Sequence, residues 1–480
     1  MKRIQIEGRG HFIGGAWITD GALFDNRAPQ DLEHVVSRHP EGAQLVDEAV
    51  AAANRAQVRW DAEPLERRIE VIEAFAAELA GASDRIAEVI VGETGKTIGA
   101  ARGEAGALAK KAALTIELAR TELQPDVFPD VGYVALRPLG VFGVIGPFNF
   151  PVHLSNGHIL PALLAGNAAI LKPSETAPAS AQLYVEAWER AASAVGADAA
   201  LLQLVQGGGQ TGAALVGHDD VHGVAFTGSY KVGVAIRRQT AHQTGKLLAL
   251  EMGGKNTAIV LEDADIASAA GDIAGAAYVM CGQRCTATSR IVAHAAVADA
   301  LAEELADRVR TLVVGDPFEE TSDLGPLATT PAAELFWKWQ NRTEGIETLV
   351  AAELPSGLPA GSWVAPSLHR VVDRTAAMER DQTEIFGPET LLHVGTSLED
   401  IVSLANATPY GLAMSVHTES EDRFESIRPR LQAGLVNWNR GTAGASSLLP
   451  FGGIKHSGNH RPAGSWALRY MTYPQAVLRG

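Results

Sequence analysis

From Val46 onward the apolar positions recur at helical spacing. Val46, Ala49, Val50, Ala53 and Trp60 share one face, and Leu65, Ile69, Ile72, Ala76 and Leu79 share another just after Pro64. A third helical stretch runs from about Ile98 to Arg120, and the residues before Val46 read as an edge segment. The stretch 127–136 alternates instead around Pro129, Asp130 and Gly132, which predicts a hairpin. After Pro138 short apolar runs at 141–145, 168–171, 201–205, 224–227 and 247–250 alternate with helical stretches at 177–195, 211–216 and 232–239. Near-continuous apolar strands separated by helices predict a parallel, doubly wound sheet.

A second α/β stretch begins near Gly253. Strands are expected at 256–261, 291–293, 390–394, 412–416 and 434–437, and helices at 266–280, 297–311, 398–405 and 421–430. Joints rich in glycine and proline fall at 315–317 and 354–362. After Gly452 the chain is loop-like until 466–471, where an apolar, strand-like pattern returns. The fold class is therefore α/β, with two open sheets.

Charge and cysteine content narrow the function. Forty Lys+Arg against 56 Asp+Glu leave a net charge of −16, which argues against nucleic acid or an anionic membrane as partner while leaving room for a local basic pocket. The longest apolar stretch, 159–171, is broken by Pro161, Gly166 and Asn167 and falls short of the roughly 20 residues that cross a bilayer. The opening Met1-Lys2-Arg3-Ile4-Gln5 lacks an apolar signal core. The two cysteines, Cys281 and Cys285, would sit side by side on a helix, a poor disulfide geometry, and no partner stands at zinc spacing. A reducing cytoplasm and no metal are expected.

Several segments could carry chemistry. Cys285 lies in Gly282-Gln283-Arg284-Cys285-Thr286, at a glycine-marked break after a helix, where Arg284 and backbone N–H groups would favour a thiolate nucleophile. Most free cysteines are nevertheless inert core residues. Glu251 ends an apolar strand before Gly253-Gly254; it could be a desolvated general base or an ion-paired strand end. Asn149, in Gly146-Pro147-Phe148-Asn149-Phe150-Pro151, could offer its amide to an oxyanion or form a turn. Lys172 and Glu175 follow the next strand, where an open sheet binds ribose hydroxyls. Phe226-Thr227-Gly228-Ser229, with Gly233 five residues past Gly228, enters a helix and could admit a pyrophosphate, although it is not the usual G-x-G-x-x-G pattern.

The order of these motifs, closed by Glu384-Ile385-Phe386-Gly387-Pro388, resembles the aldehyde dehydrogenase superfamily over nearly the whole chain, from about Phe12 to Leu478. The resemblance implies Cys285 as nucleophile, Asn149 and the Cys285 N–H as oxyanion donors, and Glu251 as the base that activates water. It implies NAD as cofactor, with Glu384 on the nicotinamide ribose and Phe386 at the nicotinamide side. It also implies an NAD-binding domain (1–120 and 139–251), a catalytic domain (252–437) and an oligomerisation arm (121–138 and 455–480), in a homodimer or homotetramer. The tail motifs Asn437-Trp438-Asn439-Arg440, Gly444-Ala445-Ser446-Ser447 and Ser457-Gly458-Asn459-His460-Arg461-Pro462 resemble the branch that oxidises N-succinylglutamate 5-semialdehyde in arginine catabolism. Val152, Ser155, Lys255 and Lys455-His456 depart from that branch, so another carboxylated aldehyde or an aliphatic one stays open. Arg284, Asn439, Arg440 and Arg461 are the candidate substrate contacts, arginine being suited to carboxylates. A cysteine hydrolase would want a histidine where Glu251 stands, and a non-catalytic protein would not need Asn149, Glu251 and Cys285 together.

Overall fold

The computed structural model describes Lys2 to Arg479. Five parallel strands form the core of the first sheet, in the order Leu247–Met252, Gly223–Gly228, Val141–Ile145, Ala168–Lys172, Leu202–Leu204. The edge segment supplies two antiparallel strands beyond them, His11–Ile13 and Ala16–Ile18. The parallel strands are buried on both faces because helices cover both, which explains their unbroken apolar runs.

The second sheet runs Ile346–Val350, Ser367–Val371, Glu389–Gly395, Thr288–His294, Asn256–Val260, Ala413–His417, Leu435–Trp438. All its pairings are parallel except that of the edge strand Ile346–Val350. A three-stranded sheet stands apart: Asp126–Phe128, Gly132–Pro138 and Thr472–Leu478 pair antiparallel. Val127, Phe128, Val131, Tyr473 and Leu478 are exposed on it. Among the described residues no helix is long and apolar enough to cross a membrane.

The predicted helices at 46–60, 65–79 and 98–120 are present as Val46–Asp61, Leu65–Gly81 and Ile98–Glu122. Several helices escape the periodicity, among them Ser83–Thr94, His153–Leu164 and Thr330–Gln340. Ser83–Thr94 buries residues on nearly every side, and His153–Leu164 buries all but its first two and Gly157, so neither shows a single apolar stripe. The second also carries Pro161 in its interior. At the C-terminus the expectation of a strand over 466–471 is corrected. Ala467–Tyr470 is a short helix, and the strand is Thr472–Leu478. Ala467, Tyr470 and Met471 are apolar because they pack with Phe142, Ala162 and Ala165, and so short a run carries no period of its own. The third strand of that separate sheet thus begins at Thr472. Before it, Ile454–Lys455 pairs with Tyr410–Gly411 and Ala463–Gly464 with Pro450–Phe451, around the cleft.

Candidate active site

The cleft lies where the carboxyl ends of the first sheet meet the amino ends of the second. Register brings Ile145 beside Lys172 and Thr227 beside Glu251, so the segments holding Asn149, Lys172, Gly228 and Glu251 leave one edge together. Opposite, Cys285 precedes the strand Thr288–His294 and Glu384 precedes Glu389–Gly395.

Cys285 is aimed by strained backbone. Helix Ile266–Tyr278 ends in Met280, Cys281 and Gly282 with φ of 57°, 54° and 67°. Left-handed geometry disfavours the two residues with side chains and suits the glycine. Gly282 also has no room for a Cβ, which would overlap the Gly387 carbonyl. The Asn149 amide Nδ2 donates to the Gln283 carbonyl at 2.9 Å, and Asn256 Nδ2 donates to the Cys285 carbonyl at 2.8 Å. The backbone N–H groups of Cys285 and Thr286 act on the sulfur, as an oxyanion site there requires.

The charge state corrects the expected thiolate. Burial first, then the charges of Glu251 and Glu384, push the Cys285 thiol up to about 12, against the pull of the two N–H groups. Arg284 does not offset this: its Nε faces the Met280 sulfur at 3.2 Å and its guanidinium lies 5.7 Å from the Phe150 ring centre. Cys281 is buried and donates to the Gly325 carbonyl at 2.8 Å, a core role; neither cysteine is in a disulfide. At rest Cys285 therefore carries its proton as a thiol.

Glu251 lies close enough for its charge to act on the Cys285 sulfur. Burial raises its pKa well above the ordinary carboxylate range, opposed by a backbone donor at Ala463, and its Oε2 is buried with no hydrogen-bond partner. Gly253-Gly254 makes the floor between base and nucleophile. A Cβ on Gly253 would overlap the Glu384 carboxylate, and one on Gly254 would overlap the Cys285 carbonyl. The Gly254 N–H donates to Glu384 Oε1 at 2.7 Å. Burial pushes Glu384 up to about 7, opposed by that hydrogen bond and by Lys255.

The donor set fits a dinucleotide. Lys172 Nζ is buried and lies 3.5 Å from the exposed Glu175 carboxylate, a cation and an anion at a strand end that suit ribose hydroxyls. Ser229 caps the helix Tyr230–Gln239 by accepting from Val232 N, and Phe226 and Thr227 close the strand before it. Gly233 packs against Met252, where a Cβ would overlap the sulfur. Phe386, at φ 55°, meets Phe148 edge-on with ring centres 6.0 Å apart. Among the described residues no cluster of His, Cys, Asp and Glu could hold a metal ion.

The arginines expected at the aldehyde entrance fare unevenly. Arg284 is half-buried beside Cys285, whereas Asn439, Arg440 and Arg461 are exposed. Asn439 is a structural residue here: its Oδ1 accepts from Thr418 N at 3.0 Å and its Nδ2 donates to Thr418 O at 2.9 Å. Arg440 lies close enough to oppose the burial-raised Asp272 carboxyl, and Arg461 donates to the adjacent His460 carbonyl. Sequence reasoning passes over Lys96, Glu104 and Lys111. Lys96 and Glu104 form a buried ion pair. Glu104 Oε1 also accepts from Val152 N at 3.2 Å and His153 N at 3.1 Å, which anchors the segment just after Asn149. Glu104 and Lys111 lie on an alanine-rich helix, where charges read as solvated, and only their long-range partners reveal otherwise.

A buried thiol, a buried carboxylate and a dinucleotide-type cleft between two open sheets are the parts that a dehydrogenase working through a covalent thiol adduct requires. The chain belongs to the aldehyde dehydrogenase family, whose sequence profile matches residues 17–477. It is 39% identical over 463 residues to N-succinylglutamate 5-semialdehyde dehydrogenase 1 of Caulobacter vibrioides, covering 94% of this chain and 95% of that one. It is 38% identical over 461 residues to N-succinylglutamate 5-semialdehyde dehydrogenase of Novosphingobium aromaticivorans, covering 92% and 95%. The fold matches betaine aldehyde dehydrogenase of Staphylococcus aureus, solved in complex with NAD+, with a TM-score of 0.91, 26% identity and coverage of 98% and 94%.

Proposed function

We propose that this enzyme oxidises an anionic semialdehyde to the carboxylic acid with NAD, and that N-succinylglutamate 5-semialdehyde, of arginine catabolism, is its substrate. The observation that carries the chemistry is the pairing of Cys285 with the unpartnered, raised carboxylate of Glu251 across the Gly253-Gly254 floor. The names of the two relatives support the substrate.

Glu251 takes the Cys285 proton as the sulfur attacks the aldehyde carbon, forming a C–S bond and a thiohemiacetal. The Asn149 amide and the Cys285 N–H hold the resulting oxyanion. Lys172, Glu175, the loop from Phe226 to Ser229 and Glu384 would hold NAD, and Phe386 would border its nicotinamide. Bound there, NAD would supply the hydride acceptor that turns the thiohemiacetal into a thioester on Cys285. Glu251 releases the cysteine proton to solvent and then removes a proton from water as water attacks the thioester; the C–S bond breaks, the acid leaves, and that second proton restores the Cys285 thiol. Glu175 accepts from ribose hydroxyls and repels a 2′-phosphate, so NAD is preferred over NADP. A cytoplasm that keeps thiols reduced suits this mechanism. The exposed apolar side chains of the arm suit pairing between subunits, as a homodimer or homotetramer.

A panel of aldehydes with NAD and NADP, followed by absorbance of the reduced nicotinamide, tests this. The succinylated semialdehyde should give the highest kcat/KM, ahead of succinate semialdehyde and of a neutral aldehyde of equal length. A neutral aldehyde in first place would sink the anionic-substrate reading.

A further inference from the structure

The helix Ile98–Glu122 carries a cation with no carboxylate partner among the described residues. Lys111 is half-buried, and its Nζ donates to Ser447 Oγ at 3.0 Å. No carboxylate of the described residues lies within ion-pairing distance of it, whereas Lys96, fifteen residues earlier, is paired with Glu104. Burial alone pushes Lys111 down, to about 8. An ammonium left partly desolvated and unpaired is costly unless a ligand supplies the anion.

Its surroundings place it along the aldehyde's path. A Cβ on Gly157 would lie 3.8 Å from Lys111 Cε, an ordinary contact distance, so the lysine stem packs beside the helix His153–Leu164. That helix starts four residues after Asn149, and the Lys111 charge is felt by both His153 and His158 on it. His153 stacks obliquely near Phe150, and its Nδ1 is buried without a partner. Ser447 lies four residues before Phe451, whose neighbour Gly452 sits against the Glu251 carboxylate. One face of the site therefore runs from Asn149 through Phe150 and His153 to Lys111. From His153 to Gly157 the helix rises about 6 Å, and an extended chain of about eight bonds spans about 10 Å.

We propose that Lys111, with Ser447 beside it, receives the distal carboxylate of a dicarboxylic semialdehyde whose carbonyl lies at Cys285. This rests on the anionic-substrate reading and adds that the substrate carries its second negative charge well away from the reacting carbon. Arg284, on the Phe150 ring next to the nucleophile, is left for a carboxylate nearer the aldehyde.

The test measures kcat/KM of the wild type, Lys111→Met and Lys111→Arg for three aldehydes: the succinylated semialdehyde, succinate semialdehyde and a neutral aldehyde of equal length. Lys111→Met should lower kcat/KM for the succinylated substrate by more than tenfold, chiefly through KM, without a matching loss for the neutral one. Lys111→Arg should recover most of it. In the wild type the ratio of the succinylated to the neutral aldehyde should fall as pH rises through about 8, because the free lysine loses its charge there. Burial keeps the facing His153 and His158 low, the latter at about 4, and Tyr470, which pairs with His158, high, so these do not titrate in that range. The ratio should be pH-independent in Lys111→Met. A wild type that prefers the neutral aldehyde defeats the anionic reading itself. A wild type that prefers the succinylated one, with the preference and its pH profile intact in Lys111→Met, overturns the role of Lys111 alone. Should Lys111→Met fail to fold, Lys111→Gln is read by the same ratios.

Discussion

At the reacting centre, Cys285, Glu251 and Glu384 sit on segments that join sheet strands, and each is fixed by backbone within a few residues of Gly253-Gly254 or Gly282. At the aldehyde entrance the polar groups come from a helix (Lys111), the start of another (His153) and the tail (Ser447), joined by single side-chain contacts. The centre is built by close backbone approach, which tolerates one arrangement and one residue type per position. The entrance is built by side chains reaching across, which can be exchanged without refolding the cleft. Chemistry shared across a family belongs in the first kind of structure, and substrate choice in the second.

The sharpest way to break this contrast is Cys285→Ala. Aldehyde oxidation should fall by roughly 10⁴-fold or more for every aldehyde, charged or neutral, because no other group can form the acyl intermediate. NAD affinity, read by fluorescence titration, should stay within about twofold. Steady-state turnover by a pure Cys285→Ala sample would remove the cysteine from the reacting centre.

Glu251→Gln comes next, with an expected loss of roughly 10²–10³-fold in kcat, again uniform across substrates. Burial raises the Glu251 carboxyl, so the free enzyme holds it protonated at low pH, and the basic form grows as pH rises. Wild-type turnover should therefore climb with pH, and that limb should flatten in Glu251→Gln. Stopped-flow absorbance separates the two proton transfers. A burst of reduced nicotinamide followed by slow turnover places the loss at thioester hydrolysis. A missing burst places it at activation of the thiol.

How much of this is legible in the sequence follows the same division. Strands that begin or end the cleft are apolar runs bounded by glycine, so Glu251, Cys285 and Glu384 stand out along the chain. The protonation of Cys285 does not, because adjacent Arg284 suggests a thiolate whereas burial and two glutamates from other segments decide the outcome. Glu104 and Lys111 are hidden for a related reason. On the helix Ile98–Glu122 they look solvated, and only contacts 48 and 336 residues away give them a role. Buried helices such as His153–Leu164 vanish too, since a helix covered on nearly every side has no polar face to mark its period.

The smallest effect expected is that of Arg440→Ala, and it sharpens the contrast from outside. Its place after Asn437-Trp438-Asn439 makes it a natural candidate for a substrate carboxylate. In the fold it is exposed, and the charge it answers is Asp272 on the helix Ile266–Tyr278, whose carboxyl is raised by burial and held back by Arg440. An exposed pair of this kind is worth about 0–1 kcal/mol. Truncating it should leave kcat/KM for the succinylated semialdehyde within about twofold and should lower the unfolding midpoint only slightly. A substrate-binding arginine would behave otherwise: loss of a desolvated carboxylate contact costs roughly 2–5 kcal/mol and falls on the charged aldehyde alone. A tenfold drop confined to the charged aldehyde would therefore move the entrance to the exposed side of the Asn437–Arg440 turn, away from Lys111.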